Sequence, residues 1–240
     1  MQIARSFLAT VLFNAALALT GVTALHADAF EGKVDYSVTD GKEKNAIKYA
    51  IKGDKLRLEV DATSKHGKDA MGSVIFDTKA EMMTILMPSE SMYMEMSTKQ
   101  MMQQARPGRP TDEKEAELKK TGKTEVICGY TCDEYLIESK GDTSSIYVTD
   151  KLGTFMFGSN PMGGQAPKNW ERALGGKSLF PLKVVTRNKA NKETFTMVAT
   201  KVEKGNLPAS LFEPPSGFTK FEMPSIPGMP GGFPMGGMGN

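Results

Sequence analysis

The chain has 240 residues and carries 30 Lys and Arg against 28 Asp and Glu, a formal net charge of +2 with two His and two Cys. That balance excludes a nucleic-acid binder, which needs a clustered basic surface. The few His and Cys exclude an ordinary zinc site.

Residues 1–29 read as a cleaved signal peptide. Arg5 gives the positive start, Phe7 to Leu19 the apolar run, and Ala27 and Ala29 the small residues of the cleavage site; Ala24 and Ala27 are further cleavage positions. The run falls short of the ~20 apolar residues of a membrane span, and no later stretch reaches that length. Removal takes away Arg5 and Asp28, one charge of each sign. The expected address is the periplasm of a Gram-negative type cell envelope, or secretion. Residues 30–221 then form one β-rich domain.

Alternation begins at once. Val34, Tyr36 and Val38 share one face of "KVDYSVTD". Ile47, Tyr49 and Ile51 repeat the pattern, Gly53-Asp54 supplies a turn, and Leu56, Leu58 and Val60 return. Period two bounded by turn residues is the mark of half-buried antiparallel strands, here a hairpin. "GSVIFDT" and "EMMTILM" form the next pair.

Methionines crowd the following stretch, "MTILMPSESMYMEMSTKQMM" at residues 83–102. If "PSES" is a four-residue loop, position 87 faces 92, 85 faces 94 and 83 faces 96. One face then carries Met83, Ile85, Met87, Met92, Met94 and Met96, while Tyr93 and Glu95 point away. Three readings compete: plain core packing, an adaptable surface for an apolar ligand, or a copper(I) site. Copper needs about three converging sulfurs, yet alternate residues on a strand stand ~6.6 Å apart. Cross-strand pairs such as Met87 and Met92 supply two, and Met229, Met235 and Met238 of the tail could add more. We expect no metal and no cofactor.

"TDEKEAELKK" (111–120) has a capping-box start at Asp112 and Glu115, which predicts a charged helix. In "EVICGYTCDEY", a turn at Gly129-Tyr130-Thr131 would set Cys128 opposite Cys132 and permit a disulfide; free thiols or a redox pair are the alternatives. "DEYLIES", "SSIYVTD", "FPLKVVTR" and "ETFTMVATKVE" alternate again. "PKNWERALGG" (167–176) predicts a short helix with Trp170 and Leu174 one turn apart. "GGKS" at 175–178 ends like a phosphate loop, but Glu171 stands where its first Gly belongs. His66 lacks a nearby nucleophile, so no catalytic residue is assigned. Residues 222–240 are a Met-, Gly- and Pro-rich tail with no apolar period, expected to be disordered.

The runs "FDTKAEMMTILMPSESMYMEM", "TGKTEVICGYTCDEYLI", "YVTDKLG", "FPLKVV" and "VEKGNLPASLFEPPSGF" together resemble a bacterial family of exported proteins, the domain-of-unknown-function family numbered 4412. The resemblance covers about residues 30–221 and implies no catalytic residue. At the level of fold, the strand series is similar to periplasmic lipoprotein carriers of the LolA/LolB type. That likeness implies a mainly β architecture: a strongly curved antiparallel sheet, a half-open barrel, with two or three short helices covering one face. The expected function is a non-enzymatic periplasmic protein that holds a lipid or other apolar ligand in a Met-lined cavity. A copper(I)-handling or oxidant-scavenging protein is one alternative, and a structural envelope domain without ligand is another.

Overall fold

A computed structural model of the chain describes residues 30–61, 73–98, 117–156, 168–175 and 177–222. Six strands come first: β1 (Glu31–Asp40), β2 (Glu43–Lys52), β3 (Lys55–Asp61), β4 (Ser73–Asp77), β5 (Met82–Met87) and β6 (Met92–Ser97). Then follow β7 (Lys119–Ile127), β8 (Tyr130–Ser139), β9 (Asp142–Thr149), helix α1 (Asn169–Leu174), β10 (Phe180–Arg187), β11 (Glu193–Lys204) and the two-residue β12 (Thr219–Lys220).

All twelve strands form one sheet in the order β12-β6-β5-β4-β3-β2-β1-β11-β10-β9-β8-β7. Its pairs are antiparallel except β12 with β6, which is parallel. Two meanders, β1–β6 and β7–β11, meet along the seam between β1 and β11. At that seam Gly32 lets the strands close: a Cβ there would lie 2.1 Å from the Glu203 carbonyl oxygen.

The alternating apolar residues line up across the sheet because each register keeps their parity. Val34, Tyr49, Leu58, Val74, Ile85 and Met94 form one continuous row. Ile51, Leu56, Phe76, Met83 and Met96 form the next. Both rows belong to the main core. This face bends inward: the Tyr49 and Phe180 rings lie 6.0 Å apart, although their strands are three spacings from each other, about 14 Å in a flat sheet.

Helix α1 covers part of that face. Trp170, Ala173 and Leu174 are buried, and the Trp170 ring meets Phe155 and Phe195 at 6.0 Å centroid separation in each case. The Tyr36 hydroxyl donates to the Pro181 carbonyl (2.7 Å) and the Tyr49 hydroxyl to the Met156 carbonyl (2.9 Å), so both buried phenols are satisfied.

A second, smaller core lies apart from the first. Ala50, Ile75 and Leu86 have the opposite parity to the main rows and pack with Leu207 and Phe212 from the segment after β11. Arg57 pins that segment by donating to the Leu211 carbonyl (3.0 Å), and Lys52 donates to the Leu207 carbonyl (2.5 Å). In this half the sheet is therefore buried on both faces.

Several expectations are corrected or sharpened. Lys119 and Lys120, assigned to a charged helix over 111–120, open strand β7, and residues 111–116 of that helix lie outside the described residues. The predicted helix over 167–176 is confined to Asn169–Leu174. Among the described residues α1 is joined by two short 3-10 turns, Pro88–Glu90 and Ala209–Phe212. The signal peptide, His66 and the tail from residue 223 lie outside the described residues.

The cysteine turn differs from expectation. Cys128 (φ 49°) and Gly129 (φ 85°) are both left-handed, which makes a two-residue turn with Ile127 opposite Tyr130. Cys132 consequently faces Glu125, not Cys128. Three ladder steps, about 10 Å, separate the two cysteines along the hairpin, beyond the usual Cα spacing of a disulfide. Both are free thiols in this structure.

Candidate functional site: a methionine-lined sheet face

The hairpin of β5 and β6 has the register that a four-residue loop dictates: Met83 opposite Met96, Ile85 opposite Met94, and Met87 opposite Met92. Pro88 starts the connecting 3-10 turn, and Ser91 ends it in a left-handed conformation (φ 51°) with its N–H donating to the Pro88 carbonyl. All six named side chains therefore share one face.

Burial divides the six. Met83, Ile85 and Met94 are closed into the main core, whereas Met87, Met92 and Met96 are only half-buried. Met87 and Met96 pack against that core together with the half-buried Val60. A closed floor thus grades into an open thioether rim. Thioethers are polarizable and unbranched, so the rim can reshape around an apolar surface without leaving a fixed void.

The opposite end of the sheet offers another kind of surface. A cleft of about 260 Å³ is lined by Asp40, Ser144, Lys168, Trp170, Thr186 and Phe195, among others. Lys168 pairs with Asp40 at 2.8 Å and lies 3.5 Å from the centroid of the Phe195 ring. Ser144 and Thr186 hydrogen-bond to each other at 2.8 Å. Its polar groups are largely spent on one another, and it does not join the methionine face.

Three titratable side chains near the core are shifted by their surroundings. Burial first, then the charges of Glu125 and Cys128, pushes the Cys132 thiol up to about 11, which makes it a poor nucleophile at neutral pH. Burial also raises the exposed turn thiol of Cys128, whose Sγ donates to the Ala199 carbonyl at 3.4 Å. Burial opposes the charge of Glu134. Hydrogen bonds from Thr121 (2.8 Å) and Tyr147 (3.0 Å), with Lys123 nearby, outweigh it and hold the carboxyl below its usual range. That network ties the bulged edge strand β7 to β8 and β9. Among the described residues no cluster of three His, Cys, Asp or Glu is placed to hold a metal ion.

Sequence reasoning placed the thioether face and missed its neighbour. Ala50, Ile75 and Leu86 sit within the unbroken apolar triplets Tyr49-Ala50-Ile51, Val74-Ile75-Phe76 and Ile85-Leu86-Met87. Unbroken runs, as opposed to alternation, mark strands buried on both faces.

A family model described as "Domain of unknown function (DUF4412)" matches residues 30–218. No curated protein matches the chain. Among solved structures, that of PNGF-II overlays with a TM-score of 0.46 at 18% identity, covering 81% of this chain and 31% of that one. The chain thus spans less than a third of that protein's length. An uncharacterized conserved protein from Thermus thermophilus overlays at 0.44 and 11% identity, covering 80% of this chain and 90% of that one. The MucA/MucB complex of Pseudomonas aeruginosa gives 0.43 at 11% identity, with 79% and 57% covered.

Proposed function

We propose, for a chain that belongs to the DUF4412 family, a non-enzymatic role: holding an acyl chain or similar apolar ligand against the rim formed by Met87, Met92 and Met96. Met83, Ile85 and Met94 form the floor beneath it. The observation that carries this reading is the graded burial of one continuous apolar face, closed at Met83 and half-open at Met96. A half-open barrel with the rim at its mouth is the shape this role requires, and the inward bend of the sheet supports it. The leader-like residues 1–29 support export to the cell envelope as the place of action.

Copper(I) handling is the second reading, favoured by the cross-strand sulfur pairs Met83 with Met96 and Met87 with Met92. Native mass spectrometry of the full chain recovered from an envelope fraction separates the two, because an acyl ligand and copper differ in mass. Titration with a fluorescent long-chain fatty acid tests the first directly. Met87→Lys and Met96→Lys place charges on the half-open rim and should weaken probe binding at least about tenfold, with the circular dichroism spectrum unchanged. A wild-type chain that takes no probe, or that instead binds Cu(I) tightly through these methionines, overturns the apolar-ligand reading.

A further inference from the structure

The sulfurs of the thioether face can be oxidised, and burial decides which of them a dissolved oxidant reaches. Met83 and Met94 are 0% and 4% exposed, and Met197 in β11 is closed as well. Met87, Met92 and Met96 are half-buried. The register arranges these open sulfurs in two ways. Met87 lies opposite Met92, both open, whereas Met96 lies opposite the closed Met83. Their neighbours on the face are apolar: Ile85 and Met94 stand at the alternate positions of the two strands, and Val60 packs against the same core as Met87 and Met96. Thr84, Tyr93, Glu95 and Ser97 have the opposite parity. Among the described residues of β5 and β6, a rim sulfur therefore has no donor side chain beside it on its own face.

We propose that Met87, Met92 and Met96 are sites of reversible oxidation by a peroxide-class oxidant, and that their sulfoxides discharge the apolar ligand while the floor stays intact. The discharge rests on the apolar-ligand reading; the assignment of the sites does not. In the step, a sulfur lone pair attacks one peroxide oxygen, an S–O bond forms and the O–O bond breaks. The proton of the transferred oxygen passes to the departing hydroxide, which leaves as water. The sulfur loses two electrons and the peroxide gains them. The product sets a strongly polar S=O group where the ligand needs an apolar wall, and no side chain on that face offers it a hydrogen bond. Met87 and Met92, opposite each other, present two such groups at once. A sulfoxide reductase drawing on a dithiol reverses the step, giving back the thioether with a disulfide and water.

Peroxide treatment of the full-length chain, followed by peptide mass mapping and titration with the fluorescent long-chain fatty acid, tests both parts. At limiting peroxide the three rim sulfurs should oxidise at least about tenfold faster than Met83 and Met94. Probe affinity should fall at least about tenfold and return after treatment with methionine sulfoxide reductases for both sulfoxide epimers. The triple variant Met87→Leu, Met92→Leu, Met96→Leu keeps an apolar rim without sulfur. It should bind probe untreated and lose no affinity on oxidation. Met82→Leu, at a half-buried position on the other face of β5, should leave the wild-type loss unchanged. Equal oxidation of rim and floor overturns the assignment of the sites. An oxidised wild type that still holds probe, or a triple variant that loses it on oxidation, overturns the discharge. An untreated chain that takes no probe overturns the apolar-ligand reading and the discharge with it, while the mapping alone decides the sites.

Discussion

The two halves of the main core are filled by opposite means. Around α1, Tyr36, Tyr49, Phe155, Trp170, Phe180 and Phe195 interlock edge to face, tilted or stacked, with the contacts among them at centroid separations of 5.3–6.0 Å. Around β5 and β6 the filling is thioether and aliphatic, and it stays half-open at its rim. Rings have few rotamers and defined contact geometry, so the aromatic half is a fixed plug. Methionines have three soft torsions and no preferred partner, so the other half tolerates changes of shape. One sheet thus carries a rigid wall and an adaptable one, and the proposed ligand-holding role draws on the second.

The largest expected effect lies in the rigid half. Phe180 is fully buried and touches both Tyr49 and Phe155. Phe180→Ala should cost about 3–5 kcal/mol, read by chemical denaturation, because locked neighbours cannot collapse into the space. Met83→Ala is the matched deletion in the soft half, equally buried. It should fall near the low end of the ~2–5 kcal/mol range for such truncations, since neighbouring thioethers can move in. Equal losses at both positions would break the contrast. Met87→Leu, at the half-open rim, should cost less than ~1.5 kcal/mol, because bulk is kept. A larger loss there would mean that the sulfur itself is used.

A last effect concerns pH and separates the halves by another route. Burial raises the Glu171 carboxyl to about 8 from an ordinary 4.5, against the opposing influence of the Lys168 backbone N–H and the Lys168 and Arg172 charges. Its charge reaches Tyr49, whose own pKa is raised by burial and then by Glu171. Between those two pH values the folded chain keeps a proton that the unfolded chain releases. The stability held in α1 is therefore complete below about pH 4.5 and lost as pH climbs toward about 8. Thermal melts across that window should show the decline, and Glu171→Gln should remove it. A wild-type profile already flat there would mean that Glu171 is solvated and that α1 does not seal the aromatic half.

How far the sequence could be read follows from the kind of signal each element carries. Val34, Tyr36 and Val38 in β1 are legible because period two survives wherever one face is buried. The pairing of Met87 with Met92 follows from loop length alone, since Pro88 starts and Ser91 ends a four-residue turn. The turn at Cys128 escaped because cysteine is a rare occupant of a left-handed position usually held by Asn, Asp or Gly. Lys119 and Lys120 read as helix because charge and capping residues describe a solvated surface, and an edge strand has one too. The covering of Ala50, Ile75 and Leu86 by Leu207 and Phe212 is a contact between distant segments, which local pattern does not encode.

The seam between the meanders also bears on how the chain acquires its structure. Within β1–β6 and within β7–β11 neighbours in the sheet are neighbours in sequence, so each of those pairings closes a far shorter loop than the seam does. The join is different: Gly32 pairs with Lys204 and Val34 with Val202, residues far apart in sequence. No pairing can form there until β11 has left the ribosome. Until then β1 is an unpaired apolar edge, open to strands of other chains. Folding should therefore be limited by one late zippering event between two preformed ribbons, and a slow phase belongs to the closure of β1 on β11.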